Sequence, residues 1–143
     1  MTARPGLATA QSYGVSFDPE TDPRNIIRQL DAALPHMHRH FLENLPIGLE
    51  IGDYLFVHAG VRPGVPLECQ SEIDCLFIRD EFLHYQGSFG KVIIHGHTPA
   101  AEPEVLPNRI GIDTGAVFTG RLTALCLEGE KRQFFTTSGK PLR

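Results

Sequence analysis

Two short strings in this chain set histidine beside glycine at the end of an apolar run. The first is Phe56-Val57-His58-Ala59-Gly60 and the second is Ile93-Ile94-His95-Gly96-His97-Thr98. A rigid strand end can hold a polar side chain in a fixed position around a ligand. Glycine next to it lets an ion or a phosphate approach the backbone without a Cβ in the way. Neutral imidazole is a ligand for borderline transition metals, so two such turns can share one ion. A lone histidine at a strand end is more often capped or solvated; it is the pairing of two turns that raises metal chemistry. Two ligands do not complete a site, since zinc takes four and a two-ion centre also needs bridging carboxylates.

Three arginines lie near these turns: Arg62, Arg79 and Arg109. Each offers a planar fork suited to phosphate oxygens. Singly, each reads more simply as an ion-pair partner, Arg79 with its neighbours Asp80 and Glu81 above all. Together with the histidine turns they point to an anionic ligand. The cluster His36, His38 and His40 reads differently. On a helix His36 and His40 share a face while His38 points away, which suits solvated histidines better than a metal box. Asp113-Thr114-Gly115 has the form of an aspartic protease triplet, but one copy would need a second subunit to supply the other carboxylate. No GxSxG elbow, P-loop or dinucleotide fingerprint is present.

These residues need elements to position them, and the chain supplies a legible series. Residues 1–21 carry no sustained apolar period and read as an irregular arm, ahead of residues 22–143, which carry the elements of a folded domain or part of one. Asp22 and Pro23 then open a helix in which Ile26, Ile27, Leu30 and Leu34 supply a buried stripe. A second short helix follows Pro35, with Phe41 and Leu42 turned to the core. From Ile47 the rhythm becomes that of strands: IGLEI and DYLFV make a hairpin about Gly52-Asp53, and its second strand is apolar enough to be central. SEIDCLFIRDEFLHY gives one or two short helices. KVIIH and NRIGI each run as a strand into a glycine-bearing loop, and RLTALCLEG with KRQFFTTS closes the chain as a hairpin. The fold class is α+β, or mixed α/β.

The composition bounds what this series can be. At 143 residues, two independent cores would each be too small. A net charge of −4 argues against a nucleic-acid partner, and no apolar run is long enough for a membrane span. The first residues lack the apolar core of a secretory signal, which makes cytoplasm the expected compartment. Cys69, Cys75 and Cys126 form no CxxC pair and read as small apolar side chains.

In order and combination, the strings SYGV, LPHMHRHFLENL, GDYLFVHAGVRPG, FIRDEFL, GKVIIHGHTP and NRIGIDTGAVFTGRLTAL resemble the C-terminal portion of a calcineurin-like metallophosphoesterase. More narrowly, they resemble the bacterial serine/threonine protein phosphatase (phosphoprotein phosphatase) branch. The resemblance implies a β-sandwich flanked by helices, of which this chain would hold the C-terminal half. It makes His58 and His97 ligands of one metal ion, Arg79 a holder of substrate phosphate, and His95 a residue supporting the ligands from behind. It implies a two-ion centre, manganese before iron or zinc, whose bridging hydroxide attacks phosphorus in a phosphoprotein or a small phosphoester. A symmetrical dinucleoside-tetraphosphatase-like hydrolase is the alternative; a non-catalytic, truncated or regulatory fragment is another.

The family's GDxHG, GDxxDRG and GNHE strings do not occur in these residues. They would carry the remaining ligands and the general acid, so no catalytic residue is assigned and the isolated chain is expected to be inactive. Half of a sandwich would leave an apolar sheet face and a strand edge uncovered. Self-association, or association with a missing N-terminal half, is therefore expected.

Overall fold

The computed structural model describes residues 6–137. The chain divides into two compact units, Met1–Leu45 and Pro46–Arg143. The first unit is helical, with α1 at Leu7–Ser12, α2 at Pro23–Ala33 and α3 at His36–Glu43. A helix at Leu7–Ser12 stands where an irregular arm is expected. It spans only 6 residues and ends at Tyr13, whose N–H donates to the Ala10 carbonyl, while the Gly14 N–H donates to that of Gln11. Too short to show an amphipathic period, such a helix leaves no periodic signal to read.

α2 begins where its cap predicts. The Asp22 carboxylate accepts from the Arg24 N–H at 2.9 Å, and Pro23 takes the first helical position, where its missing N–H costs nothing. The expected burial fails, however. Neither α2 nor α3 has a buried residue; Ile27 is 65% exposed, and Phe41 and Leu42 lie open as well. Helical spacing fixes which side chains share a stripe, but not that something covers it. His36 and His40 do share a face, with rings stacked at 6.2 Å, while the His38 Nδ1 meets the Tyr13 hydroxyl at 2.9 Å.

The second unit holds the sheets. Its strands are β1 Gly48–Ile51, β2 Tyr54–Val57, β3 Val92–His95, β4 Glu104–Val105, β5 Arg109–Gly111, β6 Thr123–Glu128 and β7 Lys131–Thr136. The first five form one sheet in the order β1-β2-β3-β5-β4, and β6 and β7 form a separate antiparallel hairpin. β1 and β2 are the expected hairpin, and β2 lies inside the sheet. Helices α4 Glu72–Phe77 and α5 Asp80–Leu83 lie between β2 and β3 in the chain, and the short α6 Ala116–Thr119 follows β5. The result is the expected mixture of helix and strand. Among the described residues no helix is long and apolar enough to cross a membrane.

The core explains why this sheet is rigid where it matters. Leu55 and Ile93, partners across β2 and β3, pack with Ala59, Val61, Ile78 and Phe82 in one buried cluster. Phe82 is fully buried and presses on Gly60, where a Cβ would lie 2.4 Å from the ring. Only glycine lets the backbone after His58 come that close.

Candidate functional site

β2, β3 and β5 run parallel, with Phe56 opposite Ile94 and Ile94 opposite Ile110. Parallel neighbours end at the same edge, so the loops leaving them gather there. His58 leaves β2, Gly96 and His97 leave β3, and Asp113 leaves β5. Backbone bonds lace the three exits together. The Gly96 N–H donates to the His58 carbonyl, the Ile112 N–H to the His95 carbonyl, and the Ala100 N–H to the Asp113 carbonyl, at 2.9–3.0 Å.

This brings the two expected ligands face to face. His58 Nε2 and His97 Nδ1 are 3.0 Å apart, and the rings meet edge to face with centroids 4.9 Å apart. Gly96 sits between the exits; a Cβ there would be 3.6 Å from the Asp113 Cβ and 3.8 Å from the His58 carbonyl. His97 has φ 66, in the left-handed region that a side chain enters at a cost of about 1–3 kcal/mol. Burial is the main influence holding the His97 imidazole below its ordinary pKa; the Arg79 guanidinium and His58 push the same way, and Asp113 opposes them. A histidine kept neutral keeps the lone pair that a metal ion needs.

The three arginines separate. Arg62 donates from Nε to Asp74 at 2.9 Å, makes a second bond to the same carboxylate, and also reaches Glu81. It is a staple between the loop after His58 and helices α4 and α5. Arg109 is buried, with its Nη2 3.0 Å from Glu104 and its guanidinium over the Phe82 ring. Arg79 alone of the three has no carboxylate partner among the described residues, and its Nη1 donates to the Thr98 hydroxyl at 3.2 Å. Of its two acidic neighbours, Glu81 is engaged by Arg62, and Asp80 forms no ion pair with it among the described residues. Arg79 thus remains a cation at the rim of the histidine pair, as phosphate binding requires.

His95 points elsewhere. It is buried with its ring edge-on to Phe82, centroids 4.9 Å apart, and its Nδ1 lies 3.2 Å from the Gly96 carbonyl. Its Nε2 has no hydrogen-bond partner among the described residues and lies over Gly111, where a Cβ would come within 3.3 Å. Across the sheet Gly111 stands between His95 on β3 and Glu104 on β4. A polar row therefore runs beneath Phe82 from His95 to the Arg109–Glu104 pair. Burial pushes the His95 imidazole below its ordinary pKa.

Asp113 and Thr98 are the residues that sequence reasoning undervalued. The Asp113 carboxylate accepts from the Gly115 N–H at 2.8 Å, a local turn bond, while its charge acts on His97. The signal was present: NRIGIDTGAV repeats the form of KVIIHGHTP, a strand followed by a glycine-bearing loop. An apolar cavity of about 330 Å³ adjoins His58, lined by Phe56, Ile94, Ile112, Ala116 and Leu122 among others. Among the described residues, no three of His, Cys, Asp and Glu come together as a metal-binding group. The donor set therefore does not fit a two-ion centre.

The Arg62 staple makes the site's support sensitive to acid. The Asp74 carboxyl lies below its ordinary 3.8 because Arg62 and, secondly, the Ser71 hydroxyl bond to its charged form. The native state therefore binds that proton less readily than the unfolded chain. The stabilisation is complete above pH 4 or so and is lost as pH falls through the lowered native value. Asp74→Asn should flatten this part of the acid limb and lower stability at pH 7, as urea midpoints taken from pH 2 to 7 would show. An unchanged limb would mean that the ion pair contributes nothing.

No protein-family model matches the chain. Over 58% of its length it is similar, at 53% identity, to the bis(5'-nucleosyl)-tetraphosphatase PrpE [asymmetrical] of Anoxybacillus flavithermus, covering 40% of that relative. A stretch of 47 residues is 51% identical to proteins of the same name from Bacillus thuringiensis and Bacillus anthracis, covering 33% of this chain and 18% of theirs. The chain thus spans two fifths or less of the curated relatives it matches. The relatives carry the name of a tetraphosphatase, not of a protein phosphatase.

Proposed function

We propose that this chain is the phosphate-gripping part of a metal-dependent phosphoester hydrolase that acts on bis(5'-nucleosyl) tetraphosphates. The observation that carries the reading is the meeting of His58 and His97 at 3.0 Å beside Arg79, which no carboxylate among the described residues neutralises. In this reading Arg79 holds a phosphate oxygen through its fork, and Thr98 orients the guanidinium. His58 and His97 supply two ligands to one divalent ion, of the manganese, iron or zinc class. The names of the relatives favour the tetraphosphatase over the protein phosphatase reading that the motifs alone rank first. Because these residues do not make a two-ion centre, the chain alone grips phosphate without hydrolysing it.

Two features support association as well. β1 lies at the sheet edge with Leu49 and Ile51 exposed, and the apolar cavity opens beside the site. A longer protein, or a second chain, would cover such surfaces.

A chimera tests substrate and residues together. In it, this chain replaces the matching stretch of the Anoxybacillus flavithermus relative. The chimera should hydrolyse bis(5'-adenosyl) tetraphosphate and lose at least about a hundredfold in kcat/KM on His97→Ala, a loss of the size expected when a metal ligand is removed. This chain alone should show no turnover with Mn²⁺. A chimera that cleaves a phosphoserine peptide and spares the tetraphosphate would overturn the substrate. A His97→Ala chimera of full activity would overturn the site.

A further inference from the structure

An aromatic ring that core packing does not explain stands next to the histidine pair. Phe77 closes α4 and is 63% exposed; Ile73, one turn earlier on the same face, is 72% exposed. The core lies on the other side of this helix, where Cys75 is buried and Ile78, just beyond the helix end, packs with Phe82. Phe77 therefore does not face outward for want of apolar residues in α4. Its ring meets the His97 imidazole edge-on, with centroids 6.3 Å apart and planes at 83°. Two residues further on is Arg79, with only the neutral Thr98 hydroxyl as a side-chain partner among the described residues.

We propose that Phe77, with Ile73 beside it, is a stacking surface for a nucleobase whose phosphate chain lies on Arg79 and the His97 turn. This rests on the reading above, in which the substrate is a dinucleoside polyphosphate. Charge and continuity argue for that occupant. A cation without a carboxylate partner suits the phosphates, and an aromatic face suits the base, within one stretch of chain from Ile73 to Arg79. Every base has a π-face, so such a surface takes a nucleoside without reading which base it is. Phe77 then governs nucleotide over plain polyphosphate, and Arg79 governs phosphate binding as such.

Calorimetric titration of the full chain with inorganic tripolyphosphate and with adenosine 5'-tetraphosphate separates the two roles. The nucleotide should bind roughly tenfold tighter, the gain expected of one base–aromatic stack. Phe77→Ala and Phe77→Leu should each erase that difference and leave tripolyphosphate affinity unchanged; the leucine variant keeps apolar bulk without a stacking face. Adenine proton resonances should move upfield on binding to the wild-type chain and stay in place with Phe77→Leu. Equal affinity for the two ligands, or nucleotide affinity that survives Phe77→Ala, overturns the proposal while leaving the phosphate site standing. Tripolyphosphate binding indifferent to Arg79→Ala overturns the phosphate site, and binding of neither ligand overturns both. If light scattering shows that Phe77→Ala dissociates an oligomer while nucleotide affinity holds, the surface is a protein contact and the nucleobase proposal falls.

Discussion

Phe82→Ala is expected to lower the unfolding free energy of the strand-bearing unit by about 3–5 kcal/mol, the range for deleting a buried phenyl ring. The position is extreme among the described residues. Phe82 is fully buried, packs against Leu55, Val61 and Ile93 in the core cluster, and touches Phe89, His95 and the Arg109 guanidinium. Removing it opens a void under both the Gly60 turn and the polar row. Gly60 can then no longer hold the backbone after His58 by contact with the ring. Urea denaturation followed by circular dichroism should show a midpoint far below the wild type, or loss of a cooperative transition. Phe82→Leu keeps most of the volume and should cost less than half as much. If alanine and leucine cost the same, the ring's shape rather than its volume is what holds the site, and the core assignment fails.

The second large effect concerns the buried cation. The Arg109 side chain is 4% exposed and depends on Glu104, which is itself 47% exposed. Glu104→Ala leaves that guanidinium with the Tyr85 carbonyl at 3.4 Å and the Phe82 ring, and with no counter-charge among the described residues. Removing one partner of a buried pair costs about 3–5 kcal/mol when both are enclosed. Because water reaches Glu104, about 2–4 kcal/mol is the expectation here. Arg109→Met placed on top of Glu104→Ala should recover most of the loss, since an apolar replacement removes the stranded charge. Recovery in the double variant is the decisive measurement. Additive losses would show that Arg109 contributes packing and hydrogen bonding rather than a paired charge.

Much of this arrangement was legible from residue types. The hairpin about Gly52-Asp53, the two histidine-bearing strand ends and the closing β6–β7 hairpin all stand where pattern and turn chemistry place them. The meeting of His58 with His97 agrees with the reading that two such strand-end turns can share one ion; that the strands are parallel neighbours is seen only in the structure. What the residues could not show is who pairs with whom. Glu81 sits two residues from Arg79 in the chain, yet it bonds Arg62, because the turn between α4 and α5 carries Arg79 toward Thr98. Burial was harder still. Ile73 and Phe77 follow the same helical spacing as a core stripe, and so do the apolar residues of α2. Spacing says which side chains face one way, and only the packed structure says whether anything lies opposite.

The parallel pairing that gathers the site also bears on how it comes into being. Leu55 meets Ile93 only after the whole stretch containing α4 and α5 has been brought round, and β3 meets β5 only after a further loop has closed. Such contacts cost chain entropy before they return any burial, so they form slowly compared with local hairpins. His58 and His97 have no geometry relative to one another until β2 and β3 are in register. During refolding, the hairpins should acquire their structure first, and the ability to hold phosphate should arrive with the slowest phase.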